Sequence, residues 1–100
     1  MHQTISNDEF YQKQKNDSLS IVDVREVYEY AAGHIPEAEN MPLSQLVKQA
    51  ETLDKTKHHY VVYQSGGRTS QASGYLSQLG YNVTNVMGGM SAWKGEVTRG

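Results

Sequence analysis

The chain has 100 residues, a formal charge of -2 and no cysteine. That length holds one modest core, burying about 65% of the surface the unfolded chain exposes, which predicts a single domain over residues 1–100. Interspersed charges leave no basic stripe for nucleic acid, and the missing cysteine excludes disulfides, thiolate metal sites and a cysteine nucleophile.

No apolar run approaches the roughly 20 residues needed to span a bilayer, so no membrane partner is expected. Met1-His2-Gln3-Thr4 has neither the basic nor the apolar part of a signal peptide, and the expected location is the cytoplasm.

Thr4-Ile5 can open a short strand. Ser6 then reads as a helix N-cap with Glu9 three residues on, and Ile5 is placed to staple onto Phe10. This helix should end near Lys15. Leu19 to Val24 is a short apolar run suited to a strand buried on both faces. Glu26 to Ala32 reads as one or two helical turns closed by Gly33, and Ile35-Pro36 forces an extended path. Glu39-Asn40-Met41 predicts a third, very short strand.

Leu43, Leu46, Val47, Ala50 and Leu53 share one face of a helix that Pro42 precedes. Lys55 to His58 reads as a polar connection, with the His58-His59 pair exposed in it and assigned no metal role. Tyr60 to Tyr63 is the fourth strand. Ala72, Tyr75, Leu76 and Leu79 line a helix ending at Gly80, Tyr81 to Val86 makes a fifth strand, Gly88-Gly89 a tight turn, and Met90 to Lys94 a final helical turn carrying Trp93. Strand and helix alternate with long connections, which argues for an α/β fold with a mostly parallel sheet covered on both faces. Ligands of such sheets bind beyond the carboxyl ends of the strands.

At that end of the fourth strand lies Tyr63-Gln64-Ser65-Gly66-Gly67-Arg68-Thr69-Ser70. A strand that breaks at a glycine pair and re-forms as a helix gathers backbone N–H groups around one point, and such a point attracts anions. Gly66 and Gly67 let the backbone come close to a ligand, and Arg68 adds fixed positive charge. The plainer alternative is a strand-to-helix turn in which the glycines serve geometry alone. Ser65, Thr69 and Ser70 stand where helix capping competes with any nucleophilic role. Asp23 is read as a helix cap, Arg25 as an ion-pair partner, His34 as a structural hydrogen-bonding residue, and Trp93 and Met90 as core lining near the loop.

Three blocks resemble a known family: Asp23-Val24-Arg25-Glu26 with Glu29-Tyr30 and Gly33-His34-Ile35-Pro36-Glu37-Ala38-Glu39-Asn40; the loop Ser65-Gly66-Gly67-Arg68-Thr69-Ser70; and Gly88-Gly89 with Ala92-Trp93. Together they look like a single-domain rhodanese, and the resemblance covers nearly the whole chain. It implies a central, largely parallel five-stranded sheet with helices on both faces. It also implies an active-site loop opening into the last long helix. Active members hold a cysteine at the first position of the six-residue loop, load it with sulfane sulfur as a persulfide, and pass the sulfur to cyanide or a thiol. Here that first position is Tyr63.

A phenol has a reference pKa near 10 and carries no second sulfur, whereas a thiol among converging amides is a strong nucleophile. The expectation is therefore a rhodanese-like domain with no catalytic residue of its own. It would bind a small anion, sulfate or thiosulfate-like, or a protein partner at Tyr63 to Arg68, and no cofactor is called for. The rival reading is a thiosulfate or persulfide sulfurtransferase in which Tyr63 replaces the cysteine. Phosphatase relatives of this fold need a longer loop and also a cysteine.

Overall fold

Parallel strands cannot be joined by two-residue turns, and here every strand-to-strand connection is long enough to cross the sheet. The computed structural model describes residues 3–100, apart from the side chains of residues 66–70. The signal-peptide reading at Met1 and His2, and those made of the Arg68, Thr69 and Ser70 side chains, lie outside the described residues. The strands are β1 (Gln3–Ile5), β2 (Ser20–Asp23), β3 (Glu39–Asn40), β4 (His58–Val62) and β5 (Asn82–Val86). They form one five-stranded sheet in the order β1-β5-β4-β2-β3, each pair parallel.

Local chemistry sets the helices. In α1 (Asn7–Asn16) the Ser6 hydroxyl accepts from the Glu9 amide at 3.1 Å, and Ile5 and Phe10 enter the same core cluster on either side of that cap. A capping box of Glu26 and Glu29 opens α2 (Val27–Ala32). The longest helix, α4 (Gly66–Gln78), stops at Leu79 and Gly80, where φ of +94° suits glycine. Residues from α3 (Leu46–Gln49) and α4 pack on one sheet face with Val22, Val61 and Val83; Phe10 of α1 packs on the other with Ile21, Ile35, Val62 and Val86. No helix among the described residues is long and apolar enough to cross a membrane.

Two expectations need correction. The helix predicted from Leu43 to Leu53 is α3 between two 3₁₀ turns, Leu43–Gln45 and Ala50–Thr52. The Leu43 amide is tied to the Val24 carbonyl at 3.0 Å and Gln45 already bonds back to Pro42, so the first turn is tighter than an α-helix. Val47, counted on the apolar face, is 72% exposed. Likewise, His58 and His59 do not lie in a polar turn but open β4. His59 is buried because both ring nitrogens find partners, Nδ1 with Ser20 Oγ at 2.6 Å and Nε2 with the Asp54 carbonyl at 2.8 Å.

Candidate functional site

Strand β4 ends at Val62, whose carbonyl accepts from the Val24 amide at 2.9 Å, and the next three residues lead into α4. Tyr63 thus stands just past the strand rather than inside it. Its ring keeps the strand's alternation: with Val61 it faces the α3 and α4 layer, half-buried against the cluster that Leu43 and Tyr75 also flank. Gln64 and Ser65 are exposed. Ser65 holds the N-cap position of α4 in extended conformation and makes no side-chain cap bond.

The loop's carbonyls have a fixed direction. The Tyr63 carbonyl accepts from the Met90 amide at 2.7 Å, and the Gln64 carbonyl accepts from the Ser91 amide at 2.9 Å and the Ser91 hydroxyl at 2.6 Å. In a trans peptide the N–H points opposite to the C=O. The Gln64 and Ser65 amides are therefore aimed away from the 3₁₀ turn Gly89–Ala92.

That turn is held close by glycine and by a side chain from the far end of the sequence. A Cβ on Gly89 would lie 2.1 Å from the Tyr63 carbonyl oxygen, and Gly88 takes φ of +79°. Asn7 at the start of α1 donates to the Met87 carbonyl at 2.9 Å and the Gly89 carbonyl at 3.0 Å. The sequence does not signal these roles of Asn7 and Ser91, because each is an ordinary polar residue whose partner lies 82 or 27 positions away.

A second network lies behind β2. Asp23 is expected as a helix cap, but Glu26 caps α2, and Asp23 instead accepts from its near neighbour Arg25. The Arg25 amide donates to Oδ1 at 2.9 Å, its Nε bridges both carboxylate oxygens, and Nη2 reaches Oδ2 at 2.9 Å. Nη2 also donates to the Gly33 carbonyl at 2.7 Å, tying the end of β2 to the end of α2. Asn40, placed in the third strand from sequence but with no side-chain role assigned there, donates to the Asp23 and Arg25 carbonyls at 3.0 and 2.9 Å. The His34 ring stacks on Tyr30 at 3.6 Å between centroids, and its Nδ1 lies 2.8 Å from the Tyr30 carbonyl. Burial first, then the negative charges of Asp23 and Glu39, raise the pKa of the Tyr30 phenol, which donates to the Ala38 carbonyl.

Trp93 packs on α1, its ring 5.7 Å from Phe10 and 5.3 Å from Tyr11, with Nε1 donating to the Glu96 carbonyl. The structure thus joins Tyr63 and Gln64 to Met90 and Ser91, and keeps Asp23, Arg25 and His34 in a separate buried cluster. Among the described residues no group of three or more His, Cys, Asp or Glu is placed to hold a metal ion.

In this parallel α/β sheet the central strand runs through a glycine-bearing loop into the longest helix, at the carboxyl edge where ligands of such sheets bind. Residues 6–96 match the rhodanese-like domain family, and the chain belongs to that family. It is 40% identical over 81 residues to YtwF of Bacillus subtilis, covering 81% of this chain and 79% of that protein. It is 35% identical over 78 residues to the sulfurtransferase of Allochromatium vinosum, covering 77% and 73%. The crystal structure of a rhodanese-like domain protein from Staphylococcus aureus superposes with a TM-score of 0.90 at 32% identity, covering 98% of each chain. Within this framework the present chain has no cysteine.

Proposed function

We propose that this domain binds a small anion, sulfate or thiosulfate-like, at the Gln64 to Arg68 loop and does not itself transfer sulfur. The observation that carries the reading is the half-buried Tyr63 ring at the loop's first position in a chain without cysteine. Sulfur transfer in the family would need a thiolate to attack the outer sulfur of thiosulfate, breaking its S–S bond and releasing sulfite. A nucleophile such as cyanide would then take that sulfur from the persulfide and restore the thiolate. Phenol oxygen forms no such persulfide. What supports anion binding is the orientation of the Gln64 and Ser65 amides, set by the Met90 and Ser91 contacts on their carbonyls.

The test compares the native chain with Tyr63→Cys. Native protein is expected to move no sulfur from thiosulfate to cyanide above the buffer rate, and the variant to gain the mass of one sulfur and begin turnover. Turnover by the native chain would overturn the non-catalytic reading. Sulfate should shift the Gln64 and Ser65 amide resonances saturably; unmoved resonances would leave a protein partner at the same face as the surviving form of the proposal. A second reading, a sulfurtransferase in which Tyr63 replaces the cysteine, is favoured by the 35% identity to the sulfurtransferase of Allochromatium vinosum. A cysteine codon at that position in the source genome would restore it.

A further inference from the structure

The opposite end of the sheet carries a different kind of site. His58 opens β4 there, and its ring stands edge-on to Tyr60 at 5.0 Å between centroids. On one side of this pair is a cleft of about 470 Å³, bordered by Ser18, Ser20 and Lys57; on the other is one of about 280 Å³, bordered by Lys13, Glu9 and Thr84. His58 and Tyr60 wall both. Thr84 Oγ1, buried, lies 2.5 Å from His58 Nε2 and fixes the ring. Among the described residues neither Lys13 nor Lys57 has a carboxylate in ion-pair contact; the two pairs found there are Arg25–Asp23 and Lys94–Asp8.

We propose that the two clefts that share the His58 and Tyr60 wall bind a small organic phosphate, its phosphate drawn to His58 between Lys13 and Lys57 and its apolar body laid on Tyr60. The Lys13 and Lys57 ammonium groups, the hydroxyls of Thr4, Ser18, Ser20 and Thr84 and the His58 imidazole line the two clefts, with the Glu9 carboxylate beside Lys13 and the Asp54 carboxylate near enough to Lys57 to feel its charge. The larger cleft, of about 470 Å³, falls within the roughly 300 to 1,000 Å³ of small-molecule sites. The electrostatics agree. Burial and the positive charges of His59 and Lys13 hold His58 below the ordinary imidazole range. Of the groups facing it from the other elements, Thr84, Gln3, Thr4, Ser18 and Ser20 carry no charge, whereas Lys13 and Glu9 of α1 carry opposite ones. A bound dianion would offset the lysines and let His58 accept a proton, so binding and protonation reinforce each other.

Phenyl phosphate tests this, with inorganic phosphate at matched ionic strength as the control and His58 and Tyr60 ring resonances as the readout. Phenyl phosphate is expected to shift both rings saturably, to raise the His58 pKa by about one unit, and to bind more tightly as pH falls toward about 6, below which the phosphate itself takes up a proton and binding weakens. Lys13→Ala with Lys57→Ala, both exposed positions, should weaken binding about tenfold while leaving the fold unchanged by circular dichroism. Unmoved rings, equal binding of inorganic phosphate, or unchanged binding by the double variant would each overturn the proposal. Shifts confined to the Gln64 and Ser65 amides would also overturn it, while leaving the loop reading intact.

Discussion

Tyr63 is the residue on which the proposed function turns, since its phenol cannot carry the second sulfur that a thiol can. Its neighbours hold the loop whatever the side chain is, because Met90 and Ser91 engage backbone carbonyls. Gly89 is less replaceable. Alanine there would place Cβ 2.1 Å from the Tyr63 oxygen at φ of +51°, and a loss of about 3 kcal/mol is expected in urea unfolding. Asp23→Ala should cost about 3–5 kcal/mol, because it strands the buried Arg25 guanidinium without its carboxylate. His58 gives a pH signature. Its folded pKa is lowered, so on acidification below about 6.5 the unfolded chain takes up a proton that the folded chain resists. Stability should therefore fall as pH drops through the window between the ordinary and the folded imidazole values. His58→Gln should flatten that part of the profile of urea midpoints.

Among the elements, α1 links the amino-terminal half to the loop. Phe10 is fully buried against Tyr60 and Trp93, and Phe10→Ala is expected to cost about 3–5 kcal/mol in thermal or urea unfolding. The Ser6 cap, the Ile5 and Phe10 pairing and the α4 face of Ala72 and Leu76 were legible in the sequence, because each rests on contacts a few residues apart or on helical spacing. The strand-to-helix loop was legible through its glycines. What sequence did not disclose depends on distant partners. His59 looked exposed until Ser20 and Asp54 were found beside it, Asp23 turned to Arg25 once Glu26 had taken the cap, and Asn7 and Ser91 declare their roles only when the Gly89 turn is folded against the loop. The broken α3 segment belongs to the same class, since the tether from Leu43 to Val24 spans the layer between helix and sheet.

Across the molecule, the two ends of the parallel sheet have opposite character. The carboxyl ends of the strands present backbone amides around the loop that begins at Tyr63, while the amino ends present lysine and imidazole side chains around His58 and Tyr60. The two proposed sites share no lining residue, and the five residues of β4 separate them. The expected outcome is additivity: sulfate at the loop should leave phenyl phosphate affinity at the other end unchanged, as measured by His58 shifts in the presence of both.

The strand order also governs how the chain can be made. Gln3 stands beside Thr84 and Ile5 beside Val86, so β1 has no neighbour until β5 exists. During synthesis the first strand must wait, unpaired, while about eighty residues emerge after it, and Ile5 and Phe10 wait with it. A nascent chain halted before Asn82 should therefore leave this amino-terminal segment open to proteases, and protection should arrive in one step when β5 clears the ribosome.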